Sequence, residues 1–96
     1  MMINKRRLVE ISAKVLTLIV PGGEALDPVR GLQLKLHRKC DEADPLRLAE
    51  KLPELLVPKV EILRQSGFIT ENEAQEFTVT IMSEILGTSI GQRACE

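Results

Sequence analysis

Apolar residues recur every three or four positions in the first segment of the chain, at about residues 3–20. This spacing predicts an amphipathic helix. At about 100° per residue, the apolar positions cover roughly 200° of the helix surface, about twice the width of a minimal core stripe. A face this wide indicates a helix that is either central in its own fold or shared with a partner. The next residues, Pro21-Gly22-Gly23, end the predicted helix.

A second helix is predicted to begin at Asp27-Pro28, because aspartate is a favoured N-cap residue and proline is favoured at the first helical position. Its apolar stripe is narrow. The stretch near 31–37 also alternates between apolar and polar residues, so a short strand is an alternative there. Leucine, glutamine and lysine are helix formers, which favours the helix. The stripe consists of Val29, Leu32, Leu36 and Cys40.

Asp44-Pro45 repeats the same start signal, and leucines then continue at helical spacing. Proline lacks an N–H group and clashes with the preceding turn of a helix. Pro53 and Pro58 therefore predict that this third segment is broken into short helices joined by bends. Gly67 is predicted to end it at the C′ position, with Phe68 packing back on the helix.

The fourth segment begins at Thr70-Glu71-Asn72-Glu73, which matches a capping box. The helix is predicted to run to about Leu86 and to carry another wide apolar arc of roughly 200°. Alternation and β-branched residues near 77–82 leave a second short strand as an alternative. The residues from about 87 onward are expected to form a frayed tail.

These segments predict an all-α fold, a small bundle of about four helices in a single domain over residues 1–96. The alternative is an α+β fold in which the two alternating stretches pair. Phe68 and Phe77 are the only aromatic residues, so the core is expected to be aliphatic. The scarcity of aromatic residues also argues against single-strand nucleic-acid binding, which usually relies on base stacking.

Charge is distributed unevenly along the chain, although the net charge is only −1. Residues 1–40 contain eight basic and three acidic side chains, whereas residues 71–96 contain one basic and five acidic ones. The basic half predicts a face for nucleic acid or for an acidic protein. The residues assigned to this face are Lys5, Arg6, Arg7, Arg30, Lys35, Arg38 and Lys39.

The sequence offers little catalytic or metal-binding chemistry. His37, Cys40 and Asp41 have a spacing that suits metal ligands, but no second ligand cluster accompanies them, so no metal or other cofactor is expected. Residues 87–91 match G-x-S-x-G, yet no histidine follows to complete a triad. We therefore expect no enzyme activity. The cysteines form no disulfide framework and the apolar runs are too short for a membrane span, so a cytoplasmic protein is expected.

The wide apolar faces of the first and last helices exceed what a core of this size easily buries. They predict a small helical protein–protein interaction module that acts as a regulator, adaptor or inhibitor by binding a partner protein, and that forms a homodimer. The alternative is a small DNA-binding transcriptional regulator that uses the basic N-terminal half. The predicted interface residues are Leu8, Ile11, Val15, Leu18, Ile19, Phe77, Ile81, Met82, Ile85 and Leu86.

Overall fold

A computed structural model describes residues 3–40 and 44–94 of the chain, the side chains of Pro45 and of residues 88–94 excepted. No strand occurs among these residues, so the all-α prediction is confirmed. The alternative strands near 31–37 and 77–82 are wrong, because both stretches lie inside helices. The four helices are α1 Lys5–Ile19, α2 Pro28–Cys40, α3 Pro45–Gln65 and α4 Glu71–Ala94.

Side-chain caps explain where the helices begin. The Asn4 carboxamide accepts a hydrogen bond of 2.7 Å from the backbone N–H of Arg7 at the start of α1. Before α4, the predicted capping box is confirmed: the Thr70 N–H donates to the Glu73 carboxylate at 3.0 Å, and the Glu73 N–H donates to the Thr70 hydroxyl at 3.1 Å. These bonds satisfy N–H groups that have no partner inside the helix.

A glycine turn joins α3 to α4. Gly67 has a φ of 85°, its N–H donates to the carbonyl of Arg64, and the Phe68 N–H donates to the carbonyl of Leu63 at 3.1 Å. These two bonds form a Schellman motif, so the prediction of Gly67 at C′ is confirmed. The motif reverses the chain within a few residues and therefore sets α3 and α4 side by side.

The predicted break in the third segment is wrong, because α3 runs unbroken through Pro53 and Pro58. Each internal proline costs a helix about 3 kcal/mol. Burial of five aliphatic side chains along α3 contributes about 8–15 kcal/mol, which exceeds the cost of both prolines. A continuous helix is the geometry that keeps these five side chains on one face. They are Leu48, Leu52, Leu56, Val60 and Leu63.

The last helix also extends further than predicted, since α4 continues past Leu86 to Ala94. A glycine ends a helix by adopting a left-handed conformation at C′. Gly67 adopts it, but Gly87 is not among the described glycines with positive φ. Gly87 thus lies inside α4 and does not end it.

The four helices share one aliphatic core. Gly31 allows α2 to approach its neighbours closely: a Cβ atom at this position would lie 3.2 Å from Leu16 Cδ2 and 3.1 Å from Ala25 Cβ. One polar side chain, Ser12, is fully buried in the core, and its hydroxyl has no hydrogen-bond partner among the described groups. None of the described helices is both long enough and apolar enough to cross a membrane.

Candidate interaction surfaces

The predicted interface of α1 and α4 is largely occupied by the core of the chain itself. Ile11, Val15, Phe77, Ile81 and Ile85 are at most 2% exposed. These five side chains are therefore inaccessible to a partner while the fold is intact. The wide apolar faces arise because α1 packs against both α2 and α3, and α4 packs against both α3 and α2.

The other predicted interface residues are half-buried at the edge of this core. Leu8 lines a cavity of about 270 Å³ between α1, α2 and α4, together with Ile81 and Arg30. Ile19 lines a different and smaller cavity at the other end of α1. The predicted interface is thus divided between separate sites. Its half-buried members are Leu8, Leu18, Ile19, Met82 and Leu86.

Arg7 was assigned to the basic face, but it links the first helix to the last. Its Nε donates to Glu73 Oε2 at 2.8 Å, and a second nitrogen donates to the carbonyl of Phe68. Its guanidinium also contacts Glu10 at 3.2 Å and lies 4.8 Å from the centroid of the Phe68 ring. Because these bonds use most of its donors, Arg7 is not available to a polyanion.

The Arg7–Glu73 ion pair changes the protonation equilibria of both groups. The hydrogen bond from Arg7, followed by that from the Thr70 backbone N–H, holds the pKa of Glu73 below its ordinary value. The hydrogen bond to Glu73 raises the pKa of Arg7. Both side chains are about three-quarters shielded from solvent, so water screens the pair less than a surface pair.

The remaining basic residues extend over the whole length of α1. Lys5 and Arg6 are exposed at the N-terminal end of α1, whereas Lys39 lies near Ile19 at its C-terminal end. A rise of 1.5 Å per residue separates the two ends of α1 by about 21 Å. Four of the assigned residues lie on α2, which contains no acidic residue. They are Arg30, Lys35, Arg38 and Lys39.

An open apolar groove lies between α3 and α4. It has a volume of about 440 Å³. Its floor includes the buried Val60 and Ala74, and its walls include Val57 and Val79, which are 46% and 63% exposed. It is larger than the cavities beside Leu8 and Ile19. Sequence reasoning missed it, although valines that lie off the main apolar stripe of a helix were a visible signal.

Charged side chains lie at one end of this groove. Glu61 and Arg64 form an ion pair along α3, and Glu71 lies across from them on α4. The hydrogen bond from Arg64 lowers the pKa of Glu61, and the same bond raises the pKa of Arg64. The groove therefore combines an apolar floor with a charged rim, as protein-binding grooves commonly do.

The small cavity at Ile19 brings together two lysines from different helices. Ile19, Leu36 and Leu55 line it along with Lys39 and Lys59, and its volume is about 90 Å³. Lys59 was not among the predicted basic residues. Sequence reasoning missed it because Lys59 lies twenty residues beyond Lys39, on the next helix.

The candidate metal ligands are only partly described. Cys40 is buried at the end of the α2 stripe, His37 is exposed, and Asp41 lies outside the described residues. Across residues 3–40 and 44–94, no three potential ligand side chains are grouped to hold a metal ion. The G-x-S-x-G pattern falls within α4, without the strand-to-turn context that a nucleophile elbow requires.

Comparisons with protein-family models, curated proteins and solved structures find no match for this chain.

Proposed function

We propose that the protein is a cytoplasmic helical interaction module that acts as a regulator, adaptor or inhibitor by binding a partner protein, and that it self-associates as a homodimer. The observation that carries this proposal is the open α3–α4 groove, with Val57 and Val79 exposed above a buried apolar floor. Exposed apolar patches rimmed by polar groups commonly mark interaction sites.

The position of the groove between two helices favours a third helix as its occupant. Its volume of about 440 Å³ is sufficient for more than one apolar side chain. Two side-by-side helices form the walls of the groove, and a third helix fits such a channel by placing apolar residues three and four positions apart along its floor. Covering the exposed parts of Val57 and Val79 contributes on the order of 1 kcal/mol each.

The charges at the end of the groove give the partner an orientation. The Glu61–Arg64 pair and Glu71 lie at the end of the groove nearest the α3–α4 turn. Rim charges contribute less to affinity than to selection of the partner and to its association rate. The affinity is therefore expected to depend on the valines, and the salt dependence on Glu71 and its neighbours.

Capture of a partner with paired baits tests the proposal. The full chain is compared with a Val57→Glu/Val79→Glu variant, which places two charges in the groove. The matched control is Leu34→Glu/Ile62→Glu, since Leu34 and Ile62 are similarly exposed and do not line the groove. A partner retained by the wild type and the control, but weakened at least tenfold by the groove variant, supports the proposal. Equal retention by all three baits would refute it.

Nucleic-acid binding is a second candidate function, favoured by the composition of α2. Four cations and no acidic residue lie in this helix, and Arg38 and Lys39 are exposed. Contacts to phosphates release counterions, so the affinity must fall steeply as the salt concentration rises. A gel-shift titration with duplex DNA at several salt concentrations tests this candidate. Absence of binding even at low salt would eliminate it.

A further inference from the structure

The cavity at the C-terminal end of α1 has the size of a single aliphatic side chain. Ile19, Leu36 and Leu55 give it an apolar lining, and its volume is about 90 Å³. A dry apolar cavity of about 150 Å³ accepts benzene, which has six carbon atoms. On that scale the cavity accepts about four carbon atoms, as in the isobutyl group of leucine.

The two lysines of this cavity indicate the charge of its occupant. Lys39 and Lys59 line the same small space, and neither forms an ion pair with a described residue. Two cationic side chains that line one cavity attract carboxylates, which carry the opposite charge. The occupant that suits this site is therefore a leucine-sized side chain with acidic neighbours.

The chain itself carries such a group. Leu26 lies in the connection between α1 and α2, is fully exposed, and stands between the exposed Glu24 and Asp27. An apolar residue just before a helix N-cap usually packs on the fourth helical residue. Asp27 caps α2 by accepting a hydrogen bond from the Arg30 N–H, so that fourth residue is Gly31, which has no side chain. Leu26 therefore lacks its usual contact within the helix that follows.

We propose that two copies of the chain associate by placing Leu26 of one copy in the Lys39–Lys59 cavity of the other, with Glu24 and Asp27 beside the lysines. The inference rests on the self-association in the proposed function, and it uses surfaces that do not line the α3–α4 groove. A reciprocal exchange, in which each copy supplies one leucine and one cavity, gives a closed two-fold dimer, the commonest form of soluble oligomer.

Sedimentation equilibrium of the full chain at micromolar concentrations tests the contact. The wild type is expected to form a dimer of 10.7 kDa subunits. Leu26→Ser is expected to weaken dimerisation at least about tenfold, because burial of a leucine side chain is lost. Leu46→Ser is the matched control, since Leu46 is another strongly exposed leucine and does not line the cavity. Both substituted side chains are solvent-exposed, so neither variant is expected to lose its helical circular dichroism.

A charge exchange supplies a second and independent readout. Lys59→Glu is expected to weaken the dimer at least about tenfold, because a carboxylate then faces Glu24 of the other copy. Adding Glu24→Lys to the same chain is expected to restore the dimer, since an opposite pair is recreated across the contact. A folding defect caused by Lys59→Glu would not be repaired by Glu24→Lys.

Three results would overturn the inference. The first is a wild type that stays monomeric at about 100 μM, a concentration above the usual dissociation constants of specific dimers. The second is equal weakening by Leu26→Ser and Leu46→Ser. The third is loss of duplex-DNA binding on substitution of Lys39 and Lys59 with no change in the oligomeric state, which would assign the lysines to phosphates. The Val57→Glu/Val79→Glu variant separates this inference from the groove proposal. It is expected to leave dimerisation unchanged, because neither valine lines the Lys39–Lys59 cavity.

Discussion

The contact between Arg7 and Glu73 provides a quantitative test of how the first helix is held to the start of the last helix. Arg7 on α1 donates to the Glu73 carboxylate at 2.8 Å, and that carboxylate also accepts from the Thr70 N–H. Replacing Arg7 with methionine keeps an aliphatic stem and removes the charge. Replacing Glu73 with glutamine keeps an oxygen that can accept the Thr70 bond and likewise removes the charge. The two variants and their double mutant form a cycle that isolates the pair.

The coupling energy follows from the geometry and from the exposure of the pair. A hydrogen bond to a charged group contributes about 1.5–3 kcal/mol when shielded, whereas exposed ion pairs contribute about 0.2–1 kcal/mol. The side chains of Arg7 and Glu73 are 25% and 28% exposed, between these two cases. We therefore expect a coupling energy of about 1–2 kcal/mol. Arg64 and Glu61 serve as the control cycle, because they are 41% and 43% exposed and lie within one helix, so their coupling should be smaller than that of Arg7 and Glu73.

Urea unfolding monitored by circular dichroism measures the cycle, and its pH dependence gives a second test. The pKa of Glu73 is lower in the folded state, so the unfolded chain takes up its proton first as the pH falls. The stability that Glu73 contributes is therefore present above its unfolded pKa and is lost as the pH falls through its folded pKa. Glu73→Gln should remove this part of the acid sensitivity. A coupling energy no larger than that of Arg64–Glu61, together with unchanged acid sensitivity in Glu73→Gln, would refute the reasoning.

The remaining predictions concern the stability of the fold, measured by the same unfolding assay. Ser12→Ala should stabilise the protein by about 1 kcal/mol more than the control Ser83→Ala. The Ser12 hydroxyl is buried without a described partner, whereas Ser83 is exposed. An equal effect of the two substitutions would show that Ser12 is hydrogen-bonded. Gly87→Ala should stabilise α4 by about 1 kcal/mol, whereas Gly67→Ala should destabilise the protein by about 1–2 kcal/mol. An added Cβ meets open space at both positions, but of the two only Gly67 has positive φ. A change of the same sign in both variants would contradict this reasoning. Pro58→Ala should stabilise α3 by up to about 3 kcal/mol, and a loss of stability would mean that Pro58 is needed in the helix.

Local interactions account for what the sequence predicted correctly. The capping box from Thr70 to Glu73 and the turn at Gly67 each involve residues only a few positions apart. Their energies hardly depend on the rest of the fold, so the helix boundaries they determine are visible in the sequence. The same is true of the all-α class, which follows from apolar spacing over whole segments.

Only the tertiary structure decided which apolar and charged groups remain available to a partner. Pro53 was expected to break a helix because its cost is local, but burial along α3 is a collective gain that appears only when the helices pack. Ile11 lies on a wide apolar face whether its neighbours are in the same chain or in another protein, and the sequence contains no information that distinguishes the two. Arg7 finds Glu73 across sixty-six positions, and Lys59 joins Lys39 from a different helix. Contacts between distant positions depend on how the helices are arranged in space, so the free surfaces of this protein became visible only in the folded chain.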